Sequence, residues 1–104
     1  MAELPLSVND YEKSVFLVAL LSKIKAEIIV LPSVTDTVFK PLINGYEVAF
    51  KLKGNPVKLE LKVSKYIFAR RKLIVRVFYS NNLIKSFKTD NADEGFNEIK
   101  SILT

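Results

Sequence analysis

The sequence predicts an α+β fold: a largely antiparallel sheet of four to six strands, with an N-terminal and a C-terminal helix on one face. Three observations predict it. Alternating apolar and polar residues flank Gly54-Asn55, a second pair of strand-like runs flanks Asn81-Asn82, and segments of helical period with capping residues stand at both ends. Consecutive hairpins bracketed by helices pack those helices against one sheet face. The chain has 104 residues, of which 49% are hydrophobic, so one domain over residues 1–104 is expected and disorder is not.

The elements follow in order. A helix is expected from Val8 to Lys25, with Ser7 as N-cap, Asp10 completing a capping box, Leu6 and Tyr11 forming a hydrophobic staple, and Pro5 blocking extension backward. From Val15 to Leu21 it is apolar all round, more than a helix lying on a sheet needs. Its second face must be covered by the C-terminal helix, by the segment Ser33–Leu42, or by another copy of the chain, and a homodimer through this helix is the favoured expectation. Glu27 to Leu31 (EIIVL) reads as a short strand closed by Pro32. Val38 and Phe39 suggest an edge strand. Tyr46, Val48, Phe50 and Leu52 alternate with Glu47, Ala49, Lys51 and Lys53; after the turn, Val57, Leu59, Leu61 and Val63 alternate with Lys58, Glu60 and Lys62. Lys72–Tyr79 and Leu83–Lys88 form the second pair, joined by Asn residues that tolerate positive φ. Asp90 or Asn91 caps a last helix carrying Ala92, Phe96, Ile99 and Leu103 on one side, with Gly95 inside it.

Composition narrows the chemistry. With neither Cys nor His, the chain has no disulfide, no thiolate or imidazole zinc site and no histidine general base. Gly45, Gly54 and Gly95 are too far apart for a phosphate loop. The longest apolar run is far shorter than the roughly 20 residues a membrane span needs, and there is no signal-peptide pattern, so an intracellular, cytoplasmic protein without membrane contact is expected. The lack of Cys, His and Trp beside many Lys, Ile and Val fits a thermophile's avoidance of labile residues.

Charge is the most informative signal. The net charge is +5, but residues 40–88 hold twelve basic residues against Glu47 and Glu60, a local +10 between acidic flanks. If Tyr46, Val48, Phe50, Val57, Leu59 and Leu61 face the helices, Lys51, Lys53, Lys58 and Lys62 face away. Strand 72–79 is ambiguous; if Leu73, Val75 and Val77 point inward, Lys72, Ile74, Arg76 and Phe78 join them. A merely solubilising surface mixes its signs more evenly. The expectation is a small nucleic-acid-binding or other polyanion-binding protein. Lys51, Lys53, Lys58, Lys62, Arg70, Arg71, Lys72, Arg76 and Lys85 would meet phosphates, and Phe78 would stack on a base, with Tyr66 and Phe68 as further aromatic candidates. A non-catalytic module whose basic face meets an acidic protein is an alternative, and no cofactor is implied by either.

The two acids of the basic block give a further reading. A two-residue Gly54-Asn55 loop places Glu47 opposite Lys62 and Glu60 opposite Ala49, so Glu47, Glu60 and Lys62 share one face. That geometry makes a cross-strand salt bridge, and it can also hold a divalent ion beside a water. The stretch Glu47-Val-Ala-Phe-Lys-Leu-Lys-Gly-Asn-Pro-Val-Lys-Leu-Glu60-Leu-Lys62 resembles the active-site hairpin of PD-(D/E)xK nucleases of the archaeal Holliday-junction resolvase type. The resemblance extends over residues 11–64, with Glu12 in the place of the helical Glu and Pro32-Ser33 after the first strand. It implies a nuclease in which Glu47 and Glu60 bind Mg²⁺ or Mn²⁺ and Lys62 assists. Glu47 stands where the family has Asp, Tyr46 where it has Pro, and Asn81–Thr104 departs from the pattern. Lys72–Phe96, with Phe87-Lys-Thr-Asp-Asn-Ala92, also resembles the three-stranded DNA-binding modules of tyrosine-recombinase arm domains.

Overall fold

In the computed structural model, the period-two runs pair as neighbours in a single antiparallel sheet. The structure describes residues 8–63 and 73–103, with side chains from Val15 onward. The order is α1 (Val8–Glu27), β1 (Val34–Leu42), β2 (Gly45–Leu52), β3 (Asn55–Val63), β4 (Leu73–Tyr79), β5 (Asn82–Thr89) and α2 (Ala92–Leu103). The five strands lie in the sheet in sequence order, as a meander. The expected α+β class holds, with five strands and a helix at each end. Among the described residues no helix is long and apolar enough to cross a membrane.

One face of the sheet forms the core. Val48 and Phe50 of β2, Val57, Leu59 and Leu61 of β3, and Leu73, Val75 and Val77 of β4 are buried. Against them lie Leu17, Leu20, Leu21 and Ile24 of α1 and Phe96 and Ile99 of α2. Removing a leucine such as Leu59, fully enclosed in the middle strand, to Ala costs about 2–5 kcal/mol. α1 packs on β3, β4 and α2, and α2 on β5.

The segment Glu27–Leu31 is not a strand. Ile28 donates to the Ile24 carbonyl at 2.9 Å and Leu31 to Ile28 at 3.1 Å, so the chain runs out of α1 into a turn. The apolar stripe through Leu17, Leu20, Leu21 and Ile24 continues to Ile28, which is buried, and that helical spacing outweighs the β-branched composition. β1 is longer than the Val38-Phe39 pair expected. Ser33–Leu42 does not fold over α1; it forms an edge of the sheet, with Val34 inward and Val38 outward.

The turns set the register. Lys53 and Gly54 have φ of 52° and 83°, and Ser80 and Asn81 have 49° and 68°. Positive φ at both central residues suits the tight hairpin turn whose twist matches the strands. The loops are therefore Lys53-Gly54 and Ser80-Asn81, each one residue earlier than the sequence suggested. At the β1–β2 end, Gly45 is required for a different reason: a Cβ there would overlap the Leu61 carbonyl. Asn91 caps α2, its Oδ1 accepting from Asp93 N at 2.8 Å and Glu94 N at 3.1 Å. Buried Thr89 ties the end of β5 to this cap, its hydroxyl donating to the Asn91 carbonyl at 2.9 Å.

Candidate nucleic-acid interface

Strand pairing arranges the face turned away from the helices into rows. Val38, Ala49, Lys58, Phe78 and Leu83 stand side by side across the five strands. The next row is Lys40, Glu47, Glu60, Arg76 and Ser86, and beyond it come Leu42, Gly45, Lys62, Ile74 and Lys88. Lys51 stands opposite Thr35 and Pro56 toward the other end. This face thus carries Lys40, Lys51, Lys58, Lys62, Arg76 and Lys88 against Glu47 and Glu60, with Asp36 of the β1 bulge beside Lys51. Phe78 is its only aromatic among the described residues.

The carboxylates sit among the cations. Shifting the β2–β3 turn by one residue moves the register by two, so Glu47 faces Glu60 rather than Lys62, and Lys62 faces Gly45. All three keep the expected face, but the expected Glu47–Lys62 pair is replaced. Lys58 Nζ lies 4.0 Å from Glu47 and 3.7 Å from Glu60, and Arg76 lies 3.8 Å from Glu60. Lys58 also stands over the Phe78 ring, 4.3 Å from its centroid. Among the described residues no group of three or more acids comes together to hold a metal ion. Glu47 and Glu60, flanked by Lys58 and Arg76, form a salt-bridge network; the side chain of Glu12, the further acid that the nuclease resemblance implies, lies outside the described residues.

Beside this network is a concavity of about 420 Å³, lined by Asp36, Ala49, Lys51, Lys58, Phe78 and Asn81. Several local features build it. Ala49 is small where its neighbours in the row are large. A bulge between Thr35 and Val38 puts one extra residue on β1 and turns Asp36, with φ 54°, toward Lys51 at 3.6 Å. The Ser80-Asn81 turn closes the far end.

Two expected contacts fall elsewhere. Lys53 occupies the hairpin turn, beside Leu52, Tyr79 and Leu103 at the α2 end of the sheet. Lys85 points to the helix side, 3.7 Å from Glu98 of α2, because the bulge between Val77 and Phe78 pairings inserts Ile84 and inverts the alternation of β5. Arg70, Arg71, Lys72, Tyr66 and Phe68 lie outside the described residues, as do the Ser7 cap, Leu6 and the side chains of Asp10, Tyr11 and Glu12. Lys40 and Lys88 join the face without having been singled out. Once Phe39 and Phe87 are known to face inward, strand alternation gives both.

Comparison with models of known protein families, with curated proteins and with solved structures finds no match.

Proposed function

We propose that this chain binds nucleic acid through the sheet face opposite its helices. The observation that carries the reading is the grouping of six cations and one aromatic on that face, with its carboxylates, Asp36, Glu47 and Glu60, each paired to one of those cations. On the helix side, Lys23 pairs with Asp93 and Lys85 with Glu98. Cations spaced along neighbouring strands neutralise successive phosphates, and the released counterions make binding weaken as salt rises. Fluorescence anisotropy with labelled oligonucleotides tests this. Binding at low salt with a log–log slope of about −2 to −4 is expected, at roughly −0.7 to −0.9 per phosphate contact. No binding at low salt, or a flat salt dependence, removes the reading in favour of an acidic protein partner.

A second reading concerns self-association. Val15 and Val18, one turn apart on α1, are 50% and 60% exposed, an apolar strip that neither the sheet nor α2 covers. A homodimer through α1 buries it and sets two basic faces in one particle. Light scattering at micromolar concentration reads twice the chain mass, and Val18→Glu reduces it to one. A single-chain mass for the unaltered protein, unchanged on dilution, rules the dimer out.

A further inference from the structure

We propose that the concavity beside Phe78 receives a single unpaired base, which makes the ligand single-stranded nucleic acid rather than duplex. This rests on the nucleic-acid reading above and narrows it. The space of about 420 Å³ falls at the small-ligand end of binding-pocket sizes. Ala49, the half-buried Phe78, Lys51 and Lys58 all line it, the right chemistry for a base flanked by phosphates. A base inside a duplex is stacked on its neighbours and cannot reach a ring lying in a depression; an unpaired base can. The face is also concave here, whereas reading a major groove needs a protruding helix or strand pair.

Lys58 makes the site switchable. In the free protein its ammonium covers the Phe78 ring at 4.3 Å and is held there between Glu47 and Glu60. An entering base takes the ring, and Lys58 exchanges the ring for the adjoining phosphate. Asp36 and Asn81 border the same space and offer polar groups to the base edge: a carboxylate acceptor from one, an amide from the other. Both hold left-handed backbone, at φ 54° and 68°, which fixes where their side chains begin.

The test compares single-stranded and duplex oligonucleotides of equal length and sequence at one salt concentration, by anisotropy, with a 2-aminopurine strand reporting stacking. The single strand is expected to bind at least about tenfold more tightly. Phe78→Leu keeps an apolar side chain of similar depth and is expected to fold, as checked by its melting curve. It lowers single-strand affinity about tenfold, abolishes 2-aminopurine quenching and leaves both duplex binding and the salt slope unchanged. Phe78→Tyr restores affinity and quenching. Salt-dependent binding with equal affinity for single strand and duplex, or with Phe78→Leu indistinguishable from the unaltered chain, overturns the base site while the basic-face reading stands. Absence of any binding at low salt overturns both.

Discussion

Glu47 and Glu60 face each other directly across β2 and β3, and Lys58 lies within 4.0 Å of both. Like charges directly opposite in a sheet repel, so this pair depends on the cation they share. Lys58→Met keeps the stem that packs over Phe78 and removes the charge. It is expected to lower stability by about 0.5–1 kcal/mol, and Glu47→Gln in the same chain should recover most of the loss. A double-mutant cycle in urea measures the coupling. Additive effects would mean that the carboxylates do not repel in the folded protein.

Glu60 is bonded to two of the cations expected to meet phosphate, Lys58 and Arg76. Glu60→Gln frees Arg76 from this pairing, leaves Lys58 only its longer contact with Glu47, and removes a negative charge from the face. Oligonucleotide affinity should rise about fivefold at low salt, the size of one close charge interaction in water. The same variant separates binding from the nuclease alternative. The unaltered chain is expected to leave branched and single-stranded DNA uncut with Mg²⁺ or Mn²⁺. Cleavage that Glu60→Gln abolishes would place the chain with the nucleases instead.

Gly45→Ala is expected to destabilise the fold by about 1–3 kcal/mol, because the added methyl meets backbone rather than a movable side chain. Leu61, whose carbonyl it would strike, sits fully buried in the middle strand, so relief by local shift is costly. Chemical denaturation with an unchanged slope and a lower midpoint is the expected signature.

Lys23 and Asp93 join the two helices at 2.6 Å. The hydrogen bond to Asp93, then its charge, raises the Lys23 pKa above the ordinary 10.5. A lysine whose pKa is higher folded than unfolded adds stability that is fully present below the unfolded value and lost as pH rises through the folded one. Melting temperatures of the unaltered chain and Asp93→Asn should therefore differ at neutral pH and converge in strongly alkaline solution. A difference that persists there would assign the effect to Asp93 at the start of α2 rather than to the pair.

Much of the fold is legible in the sequence because strand alternation has period two and survives small errors of register. Val57, Leu59 and Leu61 face inward whether the turn is centred on Lys53-Gly54 or on Gly54-Asn55, since the two alternatives differ by two positions in register. Partners are less secure than faces: the same error exchanged Lys62 for Glu60 opposite Glu47. Lys85 was misplaced because a one-residue bulge at Ile84 inverts the alternation, and nothing in the local composition announces it. EIIVL failed for another reason. Four consecutive apolar residues after Glu27 fit a strand as well as a helix end, and only the stripe running from Leu17 through Ile24 decides between them. Phe78 was legible only in part: β4 alternates between two apolar sets, Leu73, Val75 and Val77 against Ile74 and Phe78, and its pairing with Lys58 needs the β3–β4 register. The concavity beside it depends on Asp36 and Asn81, which come from a bulge and a turn.

The sequence-ordered meander also governs how the chain can assemble during synthesis. Each strand leaves the ribosome to find its pairing edge already made by the strand before it, so sheet growth needs no search among distant segments. α1 is placed differently: made first, it packs on β3, β4 and α2, all made later. Leu17, Leu20, Leu21 and Ile24 therefore stay without their final neighbours until those elements have been made. The helix that completes the core is thus in need of protection until β3, β4 and α2 have followed it.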